Sequence, residues 1–129
     1  MTNRSILVVD DSAISRKILR SCLPRDREFV VVEAGDGASG LERFREHGPD
    51  ITFLDLTMPG MSGLDCLAEM MALRPTAIVL VVTADVQARS IARALESGAM
   101  EVLPKPPTRE AIGGALARAE GRLGARGVA

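Results

Sequence analysis

The sequence of 129 residues has little cysteine, little net charge and no long apolar run. Its two cysteines, Cys22 and Cys66, lack the clustered spacing of a zinc site or a disulfide framework, so we expect them to be buried apolar side chains. Because 16 basic residues nearly balance 17 acidic ones, no broad field attracts nucleic acid or an anionic membrane. No segment has the length of a membrane span or the pattern of a signal peptide. We therefore expect a cytoplasmic protein that neither binds nucleic acid directly nor inserts into a membrane.

The composition is otherwise that of a globular protein, with 47% hydrophobic and 26% charged residues. A chain of this length is expected to form one domain. We place that domain at residues 1–123 and predict that the Gly- and Arg-containing end, 124–129, is a frayed tail.

Short apolar runs alternate with longer stretches in which apolar residues return every three or four positions. The predicted strands are Ile6–Val9, Phe29–Val32, Ile51–Leu54, Ala77–Val82 and Glu101–Leu103. Strands joined by helical crossovers lie parallel, and right-handed crossovers put helices on both faces of the sheet. The rhythm predicts a three-layer α/β domain with a doubly wound (βα)5 architecture, but it does not fix the order of the strands.

The helical stretches have recognisable ends and apolar stripes. Ser12 is a predicted cap of the first helix, and Pro24 ends that helix. The stripes predicted to face the core are Ile14, Ile18, Leu19 and Cys22 in the first helix, Leu64, Leu67, Met70 and Met71 in the third, and Ile91 and Leu95 in the fourth.

Polar residues cluster at the carboxyl ends of the predicted strands: Asp10, Asp11, Asp55, Thr83 and Lys105. In a parallel sheet these ends share one edge, where three carboxylates would repel one another unless a cation lay between them. Oxygen ligands of this kind favour Mg²⁺, which in such sites works beside phosphate groups. Lys105 and the Thr83 hydroxyl are suited to hold the oxygens of a phosphoryl group on a carboxylate, so the pattern predicts an aspartate nucleophile.

Four segments together match a known pattern, in the expected order and spacing. They are Val8-Val9-Asp10-Asp11-Ser12, Asp55-Leu56-Thr57-Met58-Pro59-Gly60-Met61-Ser62-Gly63, Val82-Thr83-Ala84 and Leu103-Pro104-Lys105-Pro106. Along nearly its whole length the chain resembles the receiver family of two-component response regulators, in its CheY-like single-domain form. The resemblance implies a flavodoxin-like sheet of order 2-1-3-4-5, in which strands one and three meet at the topological switch point.

The resemblance also implies how the acidic residues are used. Asp55 would accept a phosphoryl group from the phosphohistidine of a histidine kinase or a histidine phosphotransfer protein. Asp11 would coordinate Mg²⁺ directly and Asp10 mainly through water. Asp55 and the backbone carbonyl of Thr57 would supply further ligands. Such a protein catalyses only its own phosphorylation and dephosphorylation and is not a metabolic enzyme.

Further expectations concern the switch. Thr83 resembles the family's switch hydroxyl and Lys105 its phosphate-pairing cation, and the Lys105–Pro106 peptide is expected to be cis. Phosphorylation would change a surface near the fourth and fifth helices, where an output partner docks. A whole protein and a receiver cut from a longer regulator would have the same sequence features.

Two positions depart from the family's pattern. Val102 stands where the family often has Tyr or Phe, so an aromatic rotamer cannot report phosphorylation here. Pro107 stands where an aromatic residue often follows the Lys-Pro pair, and we expect it to alter the entry to the last helix. Thr57 and Asp85 resemble positions that tune the lifetime of the phosphoryl group.

Simpler interpretations exist for single residues. Asp10 and Asp11 alone fit helix-capping turns, and His47 fits an exposed cation at a helix end, so we assign it no function. Methionines of the third helix and the loop before it suit packing better than a binding surface.

Two other functions compete with the receiver. A haloacid dehalogenase-type phosphatase also uses an aspartate nucleophile with Mg²⁺, but its Asp-x-Asp motif after the first strand is absent. A flavodoxin-like electron carrier needs a Ser/Thr/Gly-rich loop to bind phosphate, and Asp10 and Asp11 would repel that phosphate.

Overall fold

A computed structural model describes residues 4–127, in which strands and helices alternate along the chain. The strands are β1 (Arg4–Val9), β2 (Phe29–Ala34), β3 (Ile51–Leu54), β4 (Val79–Thr83) and β5 (Glu101–Pro104). The helices are α1 (Ala13–Ser21), α2 (Gly37–His47), α3 (Gly63–Leu73), α4 (Ala88–Glu96) and α5 (Arg109–Gly127). All five predicted strands are present, and the bounds of β3 are those predicted.

The strands form one parallel sheet in the order β2-β1-β3-β4-β5, which confirms the predicted doubly wound topology. In the register, Val9 lies opposite Ala34 on one side and Leu54 on the other. Since β1 and β3 end side by side, the residues that follow them, Asp10 and Asp55, emerge next to each other.

The buried side chains form one cluster on each face of the sheet, which gives the predicted three layers. Alternate residues of β1 point to opposite faces, because successive side chains of a strand alternate. Ile6 and Val8 pack with α1 and α5, whereas Leu7 and Val9 pack with α2, α3 and α4. Both faces of β1 are therefore covered.

The predicted stripe of α1 is partly wrong. Leu19 is buried as expected, and so is Cys22 at the end of the helix, but Ile14 is 72% and Ile18 42% exposed. Ile18 borders a cavity of about 350 Å³. Ala84 and Pro107 line the same cavity, so Ile18 faces an open space rather than a close-packed neighbour.

The predicted stripe of α4 is also partly wrong. Leu95 is 47% exposed, whereas its neighbour Ala94 is fully buried and Ile91 is half-buried. A small residue lets the helix lie close to its neighbours, and the next residue lies about 100° further round the helix. Leu95 therefore points away from the core.

Other expectations are confirmed. Ser12 caps α1 by accepting a hydrogen bond from the Ser15 amide, and both cysteines are buried. The α3 stripe packs as predicted. The methionines contact the core on the α2, α3 and α4 face: Met58, Met61, Met70 and Met71.

Helix α5 extends past the predicted domain boundary at residue 123 and ends at Gly127. The frayed tail at 124–129 stays a prediction, and residues 128 and 129 lie outside the described ones. Between residues 4 and 127, no helix combines the length and the apolar character needed to cross a membrane.

A polar atom inside the sheet gives a first stability prediction. Thr52 on β3 is 1% exposed, and its hydroxyl has no hydrogen-bond partner among the described residues. A buried hydroxyl without a partner costs free energy, so Thr52→Val is expected to raise the free energy of unfolding by about 1 kcal/mol. Urea unfolding would measure this change. Thr52→Ala, which also removes a methyl group, should not gain stability, and a less stable Thr52→Val would contradict the prediction.

A second stability prediction concerns pH. The Glu120 carboxylate on α5 accepts two hydrogen bonds of 2.6 Å from Arg27 and one of 3.2 Å from Arg4. The Arg27 bonds, more than the Arg4 bond, hold the pKa of Glu120 below its usual 4.5 despite partial burial. A lowered folded-state pKa contributes stability above the unfolded-state value, and this contribution is lost as the pH falls through the folded-state value.

Glu120→Gln is therefore expected to lower the free energy of unfolding at neutral pH by up to about 1 kcal/mol. The difference from wild type should shrink as the pH falls below 4.5. Urea unfolding at several pH values tests this, with Glu42→Gln on the exposed face of α2 as the control. Equal pH profiles for the two variants would mean that the arginine pairs contribute nothing.

Candidate functional site

The end of β1 holds Asp10 through its main chain and its side chain. The Asp10 amide donates to the Ala34 carbonyl of β2 (3.1 Å), and Asp10 Oδ1 accepts from the Ser12 amide (2.9 Å). Asp10 is 6% exposed, whereas Asp11, one residue further along, is exposed. The sheet thus fixes the first carboxylate and presents the second to solvent.

Asp55 follows β3 and is held in the same way. Its amide donates to the Val9 carbonyl of β1 (3.0 Å), and its Oδ1 accepts from the Thr57 amide (3.1 Å). The residue is 5% exposed. Its carboxylate therefore has one oxygen fixed by the following loop and one oxygen directed elsewhere.

Lys105 joins the two buried carboxylates. Its Nζ donates to Asp10 Oδ2 (2.8 Å) and to Asp55 Oδ2 (2.9 Å), and its amide donates to the Thr83 carbonyl (2.9 Å). Burial by itself lowers the pKa of Lys105, but the hydrogen bonds to Asp10 and Asp55 outweigh burial, and the net shift is upward. Lys105 is thus a fixed cation between the strand ends. The predicted cis peptide at Lys105–Pro106 is present.

Three carboxylates meet at this edge, as predicted. Oxygen atoms of Asp10, Asp11 and Asp55 lie within 4.8 Å of one another. A set of carboxylate oxygens, with one aspartate open to solvent, fits a hard divalent cation that keeps part of its water. The donor set therefore fits Mg²⁺. The predicted use of the Thr57 carbonyl as a further ligand stays a prediction.

Thr83 lies at the end of β4 with a fully buried side chain. Its Oγ1 accepts a hydrogen bond from the Asp85 amide (3.2 Å). The Asp85 carboxylate turns to the start of α4, where it accepts from Ser90 Oγ (2.6 Å) and the Gln87 amide (3.2 Å). The Ser90 bond, and after it the Gln87 bond, lower the pKa of Asp85 below its usual value.

The remaining expectations concern the surroundings of the cluster. Val102 lies on β5 opposite Val81 and is half-buried against the α2, α3 and α4 face. The cavity of about 350 Å³ extends from Asp55 and Lys105 along Ile18 to Pro107. His47 is exposed at the end of α2, away from the cluster.

One residue beside the cluster was missed by reasoning from the sequence. Arg16 on α1 donates through Nη1 to the Asp10 carbonyl at 2.6 Å. The only sequence signal is its spacing: Arg16 lies four residues after the helix cap Ser12, and so within the first turns above the acidic pair.

Comparisons with known proteins agree with this geometry. The model of the response regulator receiver domain family matches residues 6–117. The chemotaxis protein CheY of Thermotoga maritima is 34% identical over 103 residues, which cover 80% of this chain and 86% of that protein. The signal receiver domain of the putative response regulator NarL from Mycobacterium tuberculosis has a TM-score of 0.85 at 33% identity, covering 94% of this chain and 99% of that one.

Larger proteins carry the same domain. A protein-glutamate methylesterase/protein-glutamine glutaminase of Nitratidesulfovibrio vulgaris is 42% identical over 103 residues, which are 78% of this chain. The chain spans 28% of the length of that protein and of a similarly named relative in Oleidesulfovibrio alaskensis. The family match over residues 6–117, the sheet order and the cluster at the strand ends agree. The chain belongs to the response regulator receiver domain family.

Proposed function

We propose that this receiver accepts a phosphoryl group on Asp55 from the phosphohistidine of a histidine kinase or a histidine phosphotransfer protein. The observation that carries the proposal is the setting of Asp55. Its buried carboxylate is oriented by the Thr57 amide and Lys105 at the point where three aspartates converge. A nucleophile held in this way loses little orientational freedom when it reacts.

In the proposed step, an Asp55 carboxylate oxygen forms a bond to phosphorus while the P–N bond of the donor breaks. The electron pair of that bond stays on the imidazole nitrogen, and a donor ring protonated on its other nitrogen leaves as neutral imidazole. The product is an acyl phosphate on Asp55. Lys105, 2.9 Å from Asp55 Oδ2, is placed to pair with an oxygen of the incoming phosphoryl group.

Asp10, Asp11, Asp55 and the Thr57 carbonyl would hold the Mg²⁺ ion. When bound, Mg²⁺ neutralises charge among the carboxylates and the phosphoryl oxygens. The protein supplies the arrangement: Ser12 and Lys105 orient Asp10, and the exposed Asp11 completes the set on the solvent side.

Thr83 is the proposed switch hydroxyl. Its Oγ1 bonds the Asp85 amide at the entry to α4, so a turn of Thr83 toward a phosphoryl group would release this loop. Val86 and Leu95, which are exposed at and near α4, would belong to the surface that an output partner contacts. With Val102 in place of an aromatic residue, the signal would pass through the Thr83 loop.

The proposed role is that of a regulator in a two-component phosphorelay, without metabolic catalysis of its own. Relatives named as chemotaxis proteins and methylesterases support chemotaxis-type signalling as one setting. The cytoplasm is the proposed compartment, since a kinase phosphohistidine is the proposed donor.

The proposal is tested by incubating the protein with acetyl phosphate and Mg²⁺ and measuring its intact mass. A labile phosphoryl adduct is expected in the wild type and in Asp65→Asn, which is a matched surface control. No adduct is expected in Asp55→Asn or in a sample treated with EDTA. If no adduct accumulates, binding of beryllofluoride would still reveal a competent site whose phosphoryl group hydrolyses quickly. An adduct in Asp55→Asn, or failure of both assays with the wild type, overturns the proposal.

A further inference from the structure

The inference concerns Arg16, which contacts the main chain of the acidic site from α1. We propose that Arg16 is a positioning residue that fixes the peptide plane between Asp10 and Asp11 and thereby the metal-binding geometry of Asp11. This role rests on the proposed function, because it assumes that the three carboxylates hold Mg²⁺.

Arg16 spans two elements on either side of the loop that carries the acidic pair. Its Nη1 donates to the Asp10 carbonyl (2.6 Å), and its Nε donates to Glu33 Oε1 on β2 (2.8 Å). Its side chain is largely buried. Since Glu33 lies opposite Val8 in the sheet, the guanidinium is anchored to the sheet itself. The planar guanidinium then holds both acceptors in one fixed geometry.

Arg16 supplies a hydrogen bond to the Asp10 carbonyl. The Asp10 amide and both of its carboxylate oxygens already have partners in Ala34, Ser12 and Lys105. The carbonyl belongs to the peptide unit that leads into Asp11. Because a peptide unit is planar, holding its oxygen also sets the direction in which Asp11 leaves it.

The position of the Asp11 carboxylate depends on the Arg16 bond more than that of the Asp10 carboxylate does. Within residues 4–127 the exposed Asp11 carboxylate accepts no hydrogen bond, so its position follows from the main chain. Without the Arg16 bond, the Asp10–Asp11 peptide has more orientations to explore. Groups that orient metal ligands in this way typically affect metal affinity about 10- to 100-fold when they are removed.

Arg20 provides a matched control on the same helix. Its Nη1 donates to Glu33 Oε2 at 2.7 Å, so it shares the carboxylate partner of Arg16. No contact joins Arg20 to Asp10 among the hydrogen bonds of the described chain. Both arginine bonds, the Arg20 bond most strongly, hold the pKa of Glu33 below its usual value. Arg20→Met thus removes an ion pair with Glu33 and leaves the Asp10 carbonyl bonded.

The first measurement is metal affinity without phosphorylation. The sequence has no Trp or Tyr to report binding by fluorescence, so free Mn²⁺ counted by electron paramagnetic resonance is the probe. Arg16→Met is expected to weaken Mn²⁺ binding about 10-fold. Arg20→Met should stay within about twofold of wild type, because a surface ion pair contributes little. Arg16→Lys, which keeps one cationic donor, should fall between wild type and Arg16→Met.

The second measurement needs no metal. Amide hydrogen exchange at Asp11 and Ser12 in the metal-free protein should be faster in Arg16→Met than in wild type and unchanged in Arg20→Met. Urea unfolding of each variant separates a loop effect from a loss of global stability. Equal changes in Arg16→Met and Arg20→Met, or a wild-type affinity in Arg16→Met, would overturn the role of Arg16.

The two proposals fail in different ways. A wild-type protein that binds Mn²⁺ but never carries a phosphoryl group contradicts the proposed function, and the Arg16 comparison still stands. If the wild type binds no metal, the metal site fails, and with it the assigned role of Arg16. A phosphorylated wild type with an Arg16→Met variant of unchanged affinity contradicts the Arg16 role alone.

Discussion

Replacement of Lys105 by methionine is expected to slow the phosphorylation of Asp55 by acetyl phosphate about 100- to 1,000-fold, the usual effect of removing one preorganised donor to developing charge. Lys105 Nζ lies 2.8 Å from Asp10 Oδ2 and 2.9 Å from Asp55 Oδ2. Methionine is unbranched like lysine, one atom shorter, and uncharged. The variant therefore loses the cation that would pair with the phosphoryl group, while Asp10 and Asp55 lose their shared partner.

The rate of adduct formation, followed by intact mass at a fixed Mg²⁺ concentration, measures this effect. Lys17→Met is the control, since Lys17 is exposed on α1 and carries the same substitution. Its rate should equal that of the wild type. A Lys105→Met variant that is phosphorylated within about tenfold of the wild-type rate would show that the cation contributes less than one preorganised donor usually does.

The parts of the fold that the sequence predicts are those set by local periodicity. Ile51–Leu54 is buried along its whole length, and its apolar residues, interrupted only by Thr52, mark the strand bounds directly. The convergence of Asp10, Asp55 and Lys105 was predictable for a general reason: the carboxyl ends of parallel strands share one edge. The strand order came from the family resemblance, because hydrophobic rhythm carries no information about which strands are neighbours.

The parts that the sequence does not predict depend on what lies opposite a side chain. Ile18 fits an apolar stripe by spacing, yet it borders a cavity and is 42% exposed. Leu95 fits a stripe equally well, but the small Ala94 makes the close contact. The spacing of Arg16 from Ser12 places it near the acidic pair, but spacing alone does not show that its guanidinium bonds the Asp10 carbonyl.

Gly63→Ala is expected to lower the free energy of unfolding by about 3 kcal/mol or more, at the upper end of the cost of overpacking. A Cβ atom at Gly63 would lie 2.3 Å from Leu56 Cα and 2.6 Å from the Asp55 carbonyl oxygen. These are main-chain atoms, which cannot rotate out of the way as a flexible side chain can. Gly63 also donates from its amide to the Leu56 carbonyl (3.1 Å), so this close approach closes the loop between β3 and α3.

Gly60→Ala separates steric overlap from backbone conformation in the same loop. Gly60 has φ +79° and no atom within 4 Å of an added Cβ, so alanine there is expected to cost only about 1–2 kcal/mol, for the left-handed conformation. Urea unfolding of the two variants gives the comparison. Because Gly63 contacts the main chain of Asp55, Gly63→Ala should also slow phosphorylation in any fraction that folds. If Gly63→Ala loses no more stability than Gly60→Ala, α3 can move away from the loop at little cost, and the close approach at Gly63 contributes little to the stability of the fold.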